Sequence, residues 1–182
     1  MASFISAGHN TKGQRDPGAV SKYGVEAELT AEFRNMVSGV ARGLGLNVIN
    51  DRDDERLGEY LKRIKPGNGS VLIEFHFDAA ANDTATGCTV VVGSDADRLD
   101  KLFANELAAA TSEVLNIRNR GVIDESKSHR GKLAFMRNPG IVALLEIGFI
   151  TNKVDMMKYH ANKYELSSRI AKIVKKYEDL IV

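Results

Sequence analysis

Two stretches of this chain are apolar at almost every position, Val71 to Phe77 and Ile141 to Ile147. Neither alternates, as a strand with one wet face does, and both are rich in branched side chains. That pattern fits strands covered on both faces. Two such strands belong at the centre of a sheet with a layer on either side, which limits the chain to architectures that supply both layers.

The rest of the apolar pattern supplies them. Phe4 and Ile5 open the chain as a short strand ending at Ala7-Gly8, and a loop containing Gly, Asp and Pro runs to about Tyr23. Leu29, Phe33, Met36, Val37, Val40 and Leu44 then recur at helical spacing, with Gly43 and Gly45 marking the stop. Leu46 to Ile49 reads as a second strand, Asp54 to Ile64 as a short polar helix or turn, and Thr89 to Val92 as another strand. A helix follows on Leu99, Leu102, Phe103, Leu107, Ala110 and Val114. The last helix is expected to begin at Asn162, with Glu165 completing a capping-box-like pair and Leu166, Ile170, Ile173, Val174, Tyr177 and Ile181 as its stripe. Strands alternating with helices predict an α/β fold: one domain over residues 1–182, a three-layer sandwich with a mostly parallel or mixed central sheet flanked by helices.

Composition narrows the function. Lys and Arg number 25 against 24 Asp and Glu, a net charge of +1, and no basic run is interleaved with aromatics, so nucleic acid is not an expected partner. No apolar run is long enough to cross a bilayer, and Met1 to Asn10 lacks the features of a secretory signal peptide. The single cysteine, Cys88, excludes an intrachain disulfide and a metal site built on several thiolates. Any metal must rest mainly on His, Asp or Glu.

Ligands of open α/β sheets bind beyond the carboxyl ends of the strands. His9 directly follows the opening strand, while His76 and Glu146 lie near the ends of the two apolar runs. A carboxylate flanked by Leu145 and Ile147 must be paired, metal-bound or protonated. Hydrolytic zinc sites commonly take two His and one carboxylate and leave a position for water. Glu26 and Glu28, both in the first turn of the first helix, are the candidate third ligands, and each could equally serve only the helix dipole. His129, in the polar stretch Ser126 to Lys132, reads as a substrate contact or a solvated loop histidine, and His160 as a surface residue. Arg169, Lys172, Lys175 and Lys176 give the last helix a basic, solvated side.

Several segments together resemble the catalytic domain of zinc-dependent N-acetylmuramoyl-L-alanine amidases of bacterial cell-wall hydrolases and phage endolysins. Ser6-Ala7-Gly8-His9 with Asp16-Pro17-Gly18-Ala19 is similar to that family's Asp-Pro-Gly-His opening and the Gly-Ala after it. Glu26-Ala27-Glu28-Leu29-Thr30 resembles its Glu-x-Asp-x-Asn helix start, Val48-Ile49-Asn50-Asp51-Arg52 its Val-x-x-Thr-Arg strand end, and Ile73-Glu74-Phe75-His76-Phe77-Asp78-Ala79 its second histidine segment. Asn119-Arg120-Gly121-Val122 matches unchanged, and the run from Pro139 to Asn152 resembles the family's Pro-Ala-x-Leu-x-Glu-x-Gly-Phe-x-Ser-Asn. Ser6 and Ala7 depart from the usual Asp and Pro, Asn10 from a glycine, and Glu74 from a small Ser.

The resemblance implies Zn²⁺ held by His9, Glu26 and His76, with Glu146 as the catalytic acid and base. It also implies cleavage of the amide between the lactyl group of N-acetylmuramic acid and the L-alanine of the peptidoglycan stem peptide. Glu74 is expected either to accept from an imidazole N–H or to pair with Arg52 or another base. The short segment between His76 and Gly87 leaves no room for a covering inhibitory helix, so no activator protein is expected. The protein is expected to act at the cell wall, and the absence of a leader resembles a phage or prophage lysin that stays in the cytoplasm until release. The alternatives are a zinc amidase or peptidase with another substrate, and a non-catalytic wall-binding module.

Overall fold

A computed structural model describes residues 2–11, 16–128 and 130–181. Its strands are β1 (Ser3–Ala7), β2 (Val20–Ser21), β3 (Gly24–Val25), β4 (Val48–Asn50), β5 (Val71–Asp78), β6 (Cys88–Val92), β7 (Asn119–Asp124) and β8 (Ile141–Phe149). The helices are α1 (Glu26–Gly43), α2 (Leu57–Arg63), α3 (Arg98–Leu115) and α4 (Lys153–Leu180). Six strands form one sheet in the order β4-β1-β5-β8-β6-β7. All neighbours run parallel except β8 and β6. The two apolar runs, β5 and β8, lie side by side at its middle, as their lack of alternation demands.

Ile5, Ile73, Phe75, Ala143 and Leu145 point to one face of the sheet, where they pack with Phe33 of α1, Phe103 of α3 and Ile170 of α4. Phe4, Leu72, Val142 and Leu144 point to the other, under Tyr60 of α2 and Phe135 of a 3₁₀ turn. Three long helices thus cover one face, and short elements cover the other. The second face is left open towards the carboxyl ends of β1, β5 and β8.

The last helix starts ten residues earlier than the sequence pattern predicts. Asn152, not Asn162, is its cap, accepting from the N–H groups of Val154 and Asp155 at 2.8 and 3.0 Å. The side chain of Asn162 instead donates to the Lys158 carbonyl within the helix. Met156 and Tyr159, both buried, carry the apolar stripe through the added turns. β7, with only Val122 and Ile123 apolar beside its polar ends, and the β2–β3 hairpin, with two residues in each strand, also went unmarked by periodicity.

Asp155, in the first turn of α4, is 1% exposed and accepts from Thr86 Oγ1, Gly87 N–H and Phe149 N–H. One buried carboxylate thereby ties the end of β8, the start of β6 and the helix together.

Candidate metal centre and cleft

The open end of the sheet gathers the polar residues. Gly8 extends the β1 ladder by donating to the Phe75 carbonyl at 2.8 Å, and the chain then turns sharply at His9, whose φ is +67°. A non-glycine residue in the left-handed region stores strain and is held there by its surroundings. His76 faces Glu146 in the β5–β8 register, and Glu146 faces Thr89 of β6. Glu26 arrives from the side as the first residue of α1. No side chain caps that helix; the N–H groups of Glu26 and Ala27 donate to the carbonyls of Ala19 and Pro17. The Asp-Pro-Gly-Ala loop therefore fixes where α1 begins.

One atom each of His9, Glu26 and His76 lies within 4.8 Å of the others, the spacing of a shared metal ion. Glu26 Oε2 is 3.2 Å from His9 Nε2, and Oε1 is 3.0 Å from His76 Nδ1. The N–H groups of Ala19 and Phe77 donate to the same two oxygens, at 2.8 and 3.1 Å, and hold the carboxylate in place. The outer imidazole nitrogens also meet carboxylates: His9 Nδ1 is 2.9 Å from Asp16, and His76 Nε2 is 3.4 Å from Glu74. Gly18, at φ +65°, passes so close that an added Cβ would sit 2.5 Å from His9 Cδ2 and 2.6 Å from Glu26 Oε2. At Gly8 a Cβ would stand 2.2 Å from His76 Cε1 and 2.4 Å from its Nε2.

The ionisable groups of the cluster shift one another. Burial acts to raise Glu26, yet hydrogen bonds from His76 and His9 outweigh it and hold the carboxyl well below the usual range. Burial likewise pulls both imidazoles down, and Glu26 overcomes it, with Glu74 adding its share at His76, so both are raised. Glu146 is pushed up to about 8, by burial first, against the pull of His76 and with Asp78, Glu26 and Glu74 adding to the rise. Its Oε2 is buried with no hydrogen-bond partner. Two imidazoles, one shared carboxylate and an unpartnered acidic oxygen beside them form the donor set of a hydrolytic zinc centre, so these residues fit such an ion.

The cluster opens into a cleft of about 1540 Å³ whose walls include Asp51, Tyr60, Asp78, Arg120 and Phe149. Glu28 points away into solvent, whereas Glu26 is 3% exposed, which separates the two candidate ligands. Arg52 is exposed and makes no ion pair among the described residues; Glu74 faces His76 instead. His129 lies outside the described residues. His160 is exposed on α4 and rests edge-on against Tyr159. On the basic side of that helix Arg169, Lys175 and Lys176 pair with Glu113, Asp179 and Glu106.

Sequence reasoning missed Asp16 as the partner of His9, and Asp78, which shares the cleft and the face of His76. Asp78 is raised by burial and opposed by Arg120. The period of two along β5 could have found Asp78. Nothing in the pattern marks Asp16, which reaches His9 through a loop.

YqiI of Bacillus subtilis (strain 168), an uncharacterized protein, is 24% identical over 166 residues, covering 89% of this chain and 76% of its own. Among solved structures, Cwp6 from Clostridium difficile superimposes with a TM-score of 0.77 at 23% identity over 96% of this chain, which spans only 29% of Cwp6. The putative N-acetylmuramoyl-L-alanine amidase from Neisseria meningitidis gives a TM-score of 0.74 at 27% identity, covering 95% of this chain and 94% of that one. The family model described as N-acetylmuramoyl-L-alanine amidase matches residues 4–176, nearly the whole length, and the chain belongs to that family.

Proposed function

We propose that this peptidoglycan amidase works through a zinc ion held by His9, Glu26 and His76, with Glu146 carrying the proton. The bond cut is the amide between the lactyl group of N-acetylmuramic acid and L-alanine. Zinc bound there supplies a water of lowered pKa and a Lewis acid for the lactyl carbonyl. Glu146 takes the proton of the attacking water on a carboxylate oxygen and returns it to the leaving alanine nitrogen. Its unpartnered Oε2 beside the three ligands is the observation that carries this assignment. Asp16 and Glu74, each on the outer nitrogen of an imidazole, fix which nitrogen faces inward: Nε2 of His9 and Nδ1 of His76.

Glu146→Gln is expected to keep zinc and lose turnover, and Glu26→Gln to lose zinc. Cell-wall hydrolysis by Glu146→Gln at near-wild-type rate would overturn the assignment. Digestion of purified peptidoglycan separates this reading from a zinc peptidase on another substrate, since only the amidase releases free muramic lactyl groups together with N-terminal alanine. The same reading expects a site that works without an activator protein, and purified protein that hydrolyses peptidoglycan only when a second protein is added would overturn that part of it. Action at the cell wall after release in the manner of a phage lysin belongs to the same reading; lysis of intact producing cells only after membrane permeabilisation tests it.

A further inference from the structure

One wall of the cleft is basic. Arg118 precedes β7, Arg120 lies within it, Lys127 ends the 3₁₀ turn that follows, and Arg130 and Lys132 sit in the next loop; all five line the same cleft as the metal centre. In a chain of net charge +1 this is a local excess. Arg120 is partly engaged, with its guanidinium 5.1 Å from the Phe149 ring centre and donating to the Thr86 carbonyl. Arg118, Lys127, Arg130 and Lys132 are exposed and form no ion pair among the described residues.

The wall is also tied to the body of the domain. Glu125, 1% exposed, accepts from Ser94 N–H at 3.2 Å and Leu133 N–H at 2.7 Å and pairs with Arg137. That buried carboxylate joins the 3₁₀ turn that bears Lys127 to the turn after β6 and to Leu133, next to Lys132. Cations held ready by the backbone lose less freedom on meeting an anion than cations on a floppy loop.

We infer that this wall is the stem-peptide side of the site and reads the free carboxylates of the peptide. The inference rests on the amidase reading, and the chemistry of a muropeptide supplies the direction. Its N-acetylated sugars are neutral, and its negative charge lies wholly on the peptide, which is the leaving group. A carboxylate two residues beyond the scissile nitrogen lies about 7 Å away along an extended chain. The basic wall therefore orients the substrate, sugar towards the β1–α2 side and peptide along β7.

The test uses a soluble disaccharide-peptide in two forms, with its peptide carboxylates free and with them converted to carboxamides. Wild-type protein is expected to favour the free form about tenfold in kcat/KM, chiefly through KM, as two or three exposed charge pairs allow. In the double variant Arg118→Gln/Lys132→Gln that preference should fall below threefold, while zinc content and melting temperature stay at wild-type values. Binding of both forms to the Glu146→Gln protein, measured by calorimetry, gives a readout independent of cleavage. No cleavage of either form with tighter binding of the free one would overturn the amidase reading and leave the wall standing. Equal binding of the two forms, or an undiminished preference in the double variant, would overturn the wall.

Discussion

Gly18→Ala isolates the geometry of the proposed metal centre from the stability of the fold. Gly18 adopts φ +65°, where an alanine costs roughly 1–2 kcal/mol. The new Cβ would also stand 2.5 Å from His9 Cδ2 and 2.6 Å from Glu26 Oε2, about 1 Å inside ordinary contact. Neither neighbour can swing aside freely. His9 is held between Asp16 and Glu26, and the Glu26 carboxylate is bound by the N–H groups of Ala19 and Phe77. Relief must come from a shift of a ligand by several tenths of an ångström, beyond the roughly 0.2 Å that metal–ligand bonds tolerate. Disturbing the partners of a metal ligand costs 10–100-fold in affinity, so displacing a ligand itself should cost at least about 100-fold. Gly45→Ala is the control: its φ is +87° with nothing within 4 Å of the added Cβ, so it carries similar backbone strain far from the cluster. Zinc affinity by chelator competition, with melting of the metal-free proteins by circular dichroism, should show both variants destabilised by about 1–2 kcal/mol and only Gly18→Ala weakened for zinc. Zinc affinity of Gly18→Ala within threefold of wild type would refute the reasoning, as would equal loss in Gly45→Ala.

Other consequences can be measured on the same protein. Zinc at a thousand times its dissociation constant stabilises the folded state by about 4 kcal/mol, which for a chain of this length raises the melting temperature by roughly 8–16 °C over the chelated protein; an unchanged melting curve would remove the metal from the site. Asp155→Ala strands the buried N–H groups of Gly87 and Phe149, and urea unfolding should report a loss of roughly 3–5 kcal/mol, with a loss below about 1 kcal/mol contradicting the clamp. Asp51 is pushed up to about 6 by burial, against the pull of Arg34. Ionised Asp51 is thus disfavoured in the fold, a penalty absent below about pH 4 that grows as pH rises to about 6, so chelated wild type should lose roughly 3 kcal/mol relative to Asp51→Asn between pH 4 and 7. A pH-independent difference between the two would show that Arg34 fully offsets the burial.

What the sequence made legible follows from where a single physical demand dominates. Val71 to Phe77 and Ile141 to Ile147 could be read as central strands because nothing but cover on both faces explains their composition, and the structure pairs them as β5 and β8. His76 and Glu146 stood out as polar residues inside those runs. Glu26 and Glu28 could not be separated by pattern, since both fit a first turn; only the path of the loop through Pro17 and Ala19 turns Glu26 inward. The start of α4 was hidden because Lys153, Lys158 and His160 dilute the stripe while Val154 and Met157 stay exposed, leaving Met156 and Tyr159 as its only buried apolar marks there. Asp16 depends wholly on tertiary contact, joining His9 across seven residues that carry no periodicity.

The accumulation of acid at the sheet edge is what the rest of the molecule must tolerate. Glu26, Glu74, Asp78 and Glu146 gather around two imidazoles; burial lowers both rings, and the hydrogen bonds to Glu26, with Glu74 at His76, outweigh it and raise them. A core selected for stability alone would replace Glu146 by an apolar residue, since its neighbours Leu145 and Ile147 are fully buried and its Oε2 has no partner. The fold keeps the carboxylate there because β5 and β8 are pinned by neighbours on both sides and by three long helices beneath. That support holds a carboxyl group that the packing around it does not compensate. The carboxyl ends of the two central strands are therefore a place where a poorly compensated acid can be both held and reachable from the cleft.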